Sequence, residues 1–303
     1  MKDSLVSVVL CTFNGERFIS EQLESICKQT HANLEIIIFD DASTDGTIRI
    51  LEQYASRDSR IRLSRNERNL GFNLNFNEAC KVTKGEYVAI SDHDDIWELN
   101  KIEVMLKRIA ADPSIMLVHC RSARFEEFGK FHLKSHRYVN YEAGRDVRNF
   151  FLVNFINGHN MLLRRSVVMK ALPFPPNVYY DWWLSVYASC EGRIEAVPQV
   201  LVWHRVHDAN ATGAAKPKQP YYLQMIGILP ELMRVQGMKE EDRLFAGKLL
   251  HHFESLRNTA FSMPLFIFLL SHARMLNAHK RRNFPWFSYL KHAFKNASRK
   301  SNA

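Results

Sequence analysis

Glu86-Tyr87-Val88-Ala89-Ile90-Ser91-Asp92-His93-Asp94-Asp95-Ile96-Trp97 is the stretch on which the fold turns. Tyr87 to Ile90 is a short apolar run, as expected of a strand buried on both faces. It ends in three carboxylates within four residues, and a helical pattern follows from Lys101 to Leu106. Carboxylates this close repel one another unless something cationic sits between them. A hard divalent metal that also holds a diphosphate suits such a set of oxygens. A solvated acidic turn is the plainer alternative, but it would have no reason to abut a buried strand.

The same alternation runs back to the N-terminus. Apolar runs over 6–11, 34–39 and 61–63 read as strands, and helical spacing over 18–29, 47–54 and 73–82 separates them. Strand and helix in strict turn predict an α/β layer on a mostly parallel sheet. Right-handed crossovers then bring the loops after the strands to one edge, where such folds bind ligands. Thr12, Asn14, Asp40, Asp41, Asp92, Asp94 and Asp95 all follow strands and are expected to share one crevice. Beyond them the pattern loosens. It gives a strand over 115–120, a charged mixed stretch over 121–140, a short helix over 149–155 and extended chain over 157–163. A helix over 180–189, a strand over 197–204, a loop near Gly213 and Pro217, and helices from about 220 complete it.

Bulk properties set limits. The 303 residues allow one large domain or two small ones, and the net charge of +9 suits an anionic ligand, a membrane surface or nucleic acid without choosing among them. Five scattered cysteines without a C-x-x-C pair argue against a disulfide framework and favour a reducing, cytoplasmic compartment. The apolar run over 5–11 is too short for a signal peptide. The longest late apolar run, 264–270, is far short of the roughly 20 residues of a spanning helix. Neither G-x-G-x-x-G nor a Walker A sequence occurs, which counts against dinucleotide and P-loop binding.

Individual motifs add chemistry. In Asp40-Asp41-Ala42-Ser43-Thr44-Asp45-Gly46 a carboxylate can accept the N3–H of uracil or thymine, while Ser43 or Thr44 caps the next helix. Thr12-Phe13-Asn14, with Glu16 close behind, offers small polar groups and a ring to a base. Of Arg62, Arg65 and Arg68, at least two are expected on a solvated edge, whereas Asn69 and Asn73 are placed to fix a loop near a nucleotide. Asp181, among Tyr180, Trp182 and Trp183, sits in low polarity that raises a carboxyl toward a useful general base. A first-turn carboxylate favoured by the helix dipole is the alternative, and both can hold. His207 is a candidate metal ligand, or joins Arg205 on a diphosphate. The basic, aromatic tail (Lys280, Arg281, Arg282, Lys291, Lys295, Arg299 and Lys300 among Phe284, Trp286, Phe287, Tyr289 and Phe294) suits either an interfacial helix on anionic lipid or a helix packed by its aromatic face.

Together these motifs, over residues 5 to 213, resemble the family 2 glycosyltransferases, inverting metal-dependent enzymes of GT-A fold. The likeness is carried by the run from Val6 to Gly15, by Phe39 to Gly46, by Asn69-Leu70-Gly71, and by Gly85 to Trp97. Asn157-Gly158, Tyr180 to Leu184, and Arg205-x-His207-x-x-Asn210 are similar to the bacterial rhamnosyltransferase-like branch. The resemblance implies a Rossmann-like GT-A domain over 1–215 and a helical basic region over 216–303. It implies Mg²⁺ or Mn²⁺ at Asp94, with Asp92 on the ribose or the metal, Asp95 beside them, His93 among the donor-binding residues, and Asp181 as catalytic base. Many members carry an acidic pair where this chain has Tyr180-Asp181. The implied donor is dTDP-rhamnose or a UDP-sugar. The implied acceptor is a surface or lipid-linked glycan reached at the inner face of the membrane. A nucleotidyltransferase would want a Gly-rich basic loop where Asn14-Gly15-Glu16-Arg17 stands, and a nucleic-acid binder would be repelled by the acidic strand ends. Nucleic acid is therefore not an expected partner.

Overall fold

The computed structural model describes residues 4–125, 131–132, 146–208, 219–279 and 285–299. Its sheet runs through β1 (Val6–Thr12), β2 (Leu34–Asp40), β3 (Ile61–Arg65), β4 (Tyr87–Ser91), β5 (Ile96–Trp97), β6 (Ile115–Phe125), β7 (Phe131–His132), β8 (Met161–Arg164) and β9 (Arg193–Arg205). The spatial order is β3-β2-β1-β4-β8-β6-β9-β5, with β7 beside β6. The long ladders, β1 with β2 and β4, β2 with β3, and β6 with β9, are parallel. Short antiparallel pairs seat β8 between β4 and β6, and β5 against β9.

Every residue of β1 and β4 is buried, which is why both read as continuous apolar runs rather than alternating ones. Alternate residues feed two cores. Val8, Leu10, Ile36 and Ile38 meet α1 (Ile19–Cys27), α2 (Thr47–Arg57) and α4 (Lys101–Ala110). Val9, Ile37, Val88 and Ile90 meet α3 (Phe72–Lys81), α5 (Arg165–Ala171) and α6 (Tyr180–Glu191). The second core continues into α7 (Tyr221–Leu232), α8 (Glu240–Glu254), α9 (Met263–Ser271), α10 (Ala273–Leu276) and α11 (Pro285–Asn296) through Leu229, Leu249, Leu265, Leu276 and Ala293. The C-terminal helices thus share a core with the sheet. The expected boundary at 215/216, the loop at Gly213 and Pro217, and Asn210 lie outside the described residues.

Some boundaries differ from expectation. The short helix expected over 149–155 is a 3₁₀ turn at Val147–Phe150. A second 3₁₀ turn, Gly158–Asn160, occupies the start of the stretch expected to be extended. Gly158 is needed there, because a Cβ would lie 2.2 Å from the Tyr180 hydroxyl. Among the described residues no helix is long and apolar enough to cross a membrane.

Candidate active site

The loops after β1 and β2 are laced together. Asn14 takes a left-handed φ of 49°; its N–H donates to Ser43 Oγ at 2.9 Å, and its Oδ1 accepts from the Thr44 N–H at 2.9 Å. Ala42 is also left-handed, at φ 61°, which costs about 1–2 kcal/mol in a residue with a Cβ. Such outliers gather where a site must be shaped. Because Ser43 is used in this way, neither it nor Thr44 caps α2, contrary to expectation. Asp45 accepts from the Thr47 N–H at 3.0 Å, and Glu16 accepts from the Gly46 N–H at 2.9 Å. Glu16 therefore braces the start of α2 from the neighbouring loop.

The two acids after β2 have separate surroundings. Asp40 is fully buried, accepts from the Ser43 N–H at 3.0 Å and pairs with Arg65 at 3.5 Å. Its other oxygen is sealed and has no partner, as is the Thr12 hydroxyl on the adjoining strand. Asp41 accepts from Asn66 Nδ2 at 2.7 Å, the Leu70 N–H at 2.8 Å and the Gly71 N–H at 2.9 Å. A carboxylate has about four acceptor positions, so Asp41 keeps one open. Phe13 is exposed at this rim, and Asn69 holds its own turn through the Gly71 N–H at 3.0 Å. Of the arginines, Arg62 pairs with Glu35 at the opposite edge of the sheet, and Arg68 is exposed.

The acidic run after β4 splits in three. Asp92 is half-buried and holds His159 Nδ1 at 3.0 Å. Asp94 holds His207 Nε2 at 3.0 Å, and the His207 ring lies 4.5 Å from that of Phe18. Burial, then Asp95 and Asp92, push the Asp94 carboxyl up against the opposing pull of His93 and His207. Asp95 is fully enclosed, 2.9 Å from His204 Nδ1, 3.2 Å from the Arg205 N–H and 3.2 Å from His159 Nδ1. Burial pushes Asp95 up, but His159, His204 and the Arg205 N–H outweigh it and hold the acid low. His93 sits against the first loop, since a Cβ on Gly15 would fall 2.6 Å from its ring.

Beneath this run lies a charged floor. Lys101 Nζ donates to the His159 carbonyl at 2.6 Å and stands 3.2 Å over the Trp97 ring. Burial draws this lysine down to about 7, against the pull of Cys120, Asp95 and Asp92. Arg205, expected beside a diphosphate, lies behind the acidic loop. It is buried, donates Nε to the Asp94 carbonyl at 3.0 Å, pairs with Glu21, and lies between the rings of Phe18 and Phe125. Its guanidinium pins the acidic loop from behind.

Asp181 stands in the first turn of α6, accepting the Trp182 N–H at 2.7 Å. Burial raises its carboxyl to about 6, with Asp92 adding and the N–H groups of Trp182 and Gly158 opposing. Asp92 also pushes up the already buried Tyr180 hydroxyl and Cys11 thiol, and β1 pairs directly with β4, so the ends of these strands lie near the start of α6. Asn73 fixes that approach. Its Nδ2 donates to the Pro175 and Val178 carbonyls at 2.9 and 2.7 Å, and its Oδ1 accepts the Tyr180 N–H at 2.8 Å. Asn73→Ala should lose about 1–3 kcal/mol of stability, since three polar groups lose their partner. It should also depress turnover more than nucleotide affinity. Urea unfolding and calorimetric titration check the two halves, and an equal loss in both would argue against a role confined to the α6 side.

Residues 7–172 match the family model described as glycosyl transferase family 2, more than half of the chain. The chain belongs to glycosyltransferase family 2. An uncharacterized glycosyltransferase of Methanocaldococcus jannaschii is 27% identical over 228 residues, covering 73% of this chain and 78% of that protein. The Escherichia coli UDP-Glc:alpha-D-GlcNAc-diphosphoundecaprenol beta-1,3-glucosyltransferase WfgD is 41% identical over 107 residues, 35% of this chain and 41% of that one. In structure, S. aureus TarS 1–349 in complex with UDP-GlcNAc superposes with a TM-score of 0.64 at 20% identity, over 96% of this chain and 81% of that chain, and shares its GT-A fold. As a family 2 glycosyltransferase, the chain is an enzyme of sugar transfer.

Sequence reasoning missed Lys101, His159 and His204. A signal existed for His159: the strand after it runs antiparallel to β4, so the preceding turn enters at the carboxylate edge. Nothing in a helical pattern marks Lys101 as buried.

Proposed function

We propose that this family 2 glycosyltransferase transfers a sugar with inversion from a nucleoside-diphosphate donor to an acceptor hydroxyl, with Asp181 as base. The observation that carries this reading is the Asp181 carboxyl, raised to about 6 at the crevice it shares with Asp92. At neutral pH such a group is ionised yet basic enough to take a proton as the transition state forms. The acceptor oxygen gives its proton to Asp181 and bonds to the anomeric carbon while the bond from that carbon to the diphosphate breaks.

Asp94 and Asp92 would supply the carboxylate oxygens that suit Mg²⁺ or Mn²⁺, with His207 Nε2 3.0 Å from Asp94; the ligand atoms already within 4.8 Å of one another are those of Asp95, His159 and His204. Burial first, and then Asp95 and Asp92, push Asp94 up, and a cation would offset both. When bound, the ion would supply Lewis-acid neutralisation of the departing diphosphate. Both acids after β2 are buried, Asp40 at 0% and Asp41 at 2% exposure; Asp41 is the candidate for a base N–H because it gathers the 66–71 loop beside the exposed rim, whereas Asp40 is paired with Arg65. Phe13, Asn14 and Asn69 line the exposed rim beside it.

The named substrates of WfgD and the ligand of TarS support a UDP-sugar as donor, and the motifs around Asn157 and Asp181 keep dTDP-rhamnose beside it. The acceptor we infer is a lipid-linked or growing surface glycan, met at the inner face of the membrane, with residues 216–303 serving to dock. A panel of nucleotide sugars tests the donor. One nucleotide class should raise the melting temperature by several degrees with Mn²⁺ or Mg²⁺, lose that effect with chelator, and be slowly hydrolysed. No shift and no hydrolysis across UDP-, dTDP- and GDP-sugars would overturn the reading.

A further inference from the structure

Every unit of this protein's net charge lies beyond Glu254. Residues 255–303 hold nine Lys and Arg and no Asp or Glu, while residues 1–254 balance to zero. The same segment carries the most exposed aromatic side chains of the described residues, Phe287 at 81% and Trp286 at 70%, with Phe294 at 61%. α11 packs inward through Tyr289 and Ala293 and turns Trp286, Phe287, Leu290 and Phe294 outward. At 3.6 residues per turn these four span a sector about 100° wide, and Lys291 and Lys295 follow on its edge. The aromatic face is therefore not the packed one.

A second element widens the patch. α9 lies against α11 and exposes Met263 and Ile267 at 56% and 55%. The pair is tied by the Ser262 N–H to the Ala297 carbonyl at 3.0 Å, the Arg299 N–H to the Ala260 carbonyl at 2.9 Å, and Phe261 against Phe294 at 5.2 Å. Neither helix contains an acid.

We propose that the outer face of α9 and α11 is a docking surface for an anionic lipid bilayer. The aromatic side chains enter the headgroup boundary, and the lysines meet acidic headgroups. A second copy of the chain is a poorer occupant, because it would oppose one acid-free basic face to another. Nucleic acid would match the charge but leave Met263, Ile267 and Leu290 in water. The surface shares no residue with the catalytic site, and the inference deepens the docking role proposed for residues 216–303, whether or not the acceptor is lipid-linked. The surface is joined to the crevice wall, since His279, just after α10, stacks on Phe155 at 5.5 Å, and Phe155 precedes the Gly158–Asn160 turn.

The full chain should co-sediment with phosphatidylglycerol-rich vesicles and at least about tenfold less with phosphatidylcholine vesicles, the difference shrinking as salt rises. W286S/F287S should weaken binding by about tenfold or more, as should K291E/K295E separately, with melting temperature and soluble nucleotide-sugar hydrolysis unchanged. These side chains are exposed, so both variants should fold. Three results would overturn the proposal: equal binding to both vesicles, wild-type binding by both variants, or tighter binding to single-stranded nucleic acid than to acidic vesicles. A change from dimer to monomer in W286S/F287S without vesicle binding by the wild type would instead assign the face to a second copy.

Discussion

Asp181→Asn should leave nucleotide binding intact, cut turnover by about 10²–10⁴-fold, and make the protein more stable at neutral pH. The first two effects follow from removing a base that acts only on the acceptor. The third follows from linkage. The folded carboxyl is raised to about 6 by burial, against roughly 3.9 in an unfolded chain. Between those values the fold binds a proton that the unfolded chain does not, so stability falls as pH rises through this window. Above about 6 the full penalty of this half-buried charge is present. The amide carries no such charge, so wild type and variant should converge in melting temperature below about pH 4 and diverge above it. In the wild type, kcat/KM should climb with pH and level off above about 6. Wild-type turnover in the variant would remove Asp181 from the chemistry. Lost turnover together with lost nucleotide binding would make it structural instead.

Asp94→Ala should abolish the dependence of nucleotide binding on metal. Loss of a ligand's supporting partner alone costs about 10–100-fold in metal affinity, so removing a ligand should cost at least about 100-fold. The apo protein should nevertheless melt no lower at neutral pH, because the substitution relieves a carboxyl pushed up by burial, Asp95 and Asp92. Titration of UDP and dTDP with Mn²⁺ and with chelator separates the cases. If the variant still binds nucleotide in a chelator-sensitive way, the metal belongs elsewhere. The alternative to test would then be Asp95, His159 and His204, whose ligand atoms lie within 4.8 Å of one another.

The first half of the fold was legible because β1, β2 and β4 are covered on both sides, which writes burial into the sequence as unbroken apolar runs. β9 was harder. Its 13 residues mix buried and half-exposed positions and contain Pro198. That proline falls where the ladder with β6 jumps from Ala196 to Val200, the kind of irregularity that tolerates a missing N–H. The acids of the site could be read because strand ends converge by topology alone. Their roles could not. Asp40 and Asp41 are neighbours in sequence, yet one is tied to the Ser43 N–H and Arg65 and the other gathers the 66–71 loop, a difference set by donors in the chain between β3 and α3. Arg205 likewise gave no sign in the sequence that Glu21, Phe18 and Phe125 would surround it.

The buried floor formed by Asp95, His159 and Lys101 bears on how such an enzyme can diverge. These groups are fixed by one another, so losing His159 takes a partner from the buried Asp95 charge, and losing Lys101 leaves the His159 carbonyl without its donor, both of which are costly. The rim at Phe13 faces water, where most substitutions shift stability by no more than about 0.5 kcal/mol. Selection for a new donor therefore has a tolerant surface to explore above an intolerant base. Descendants of this chain can change which sugar nucleotide they accept without dismantling the carboxylates beneath it.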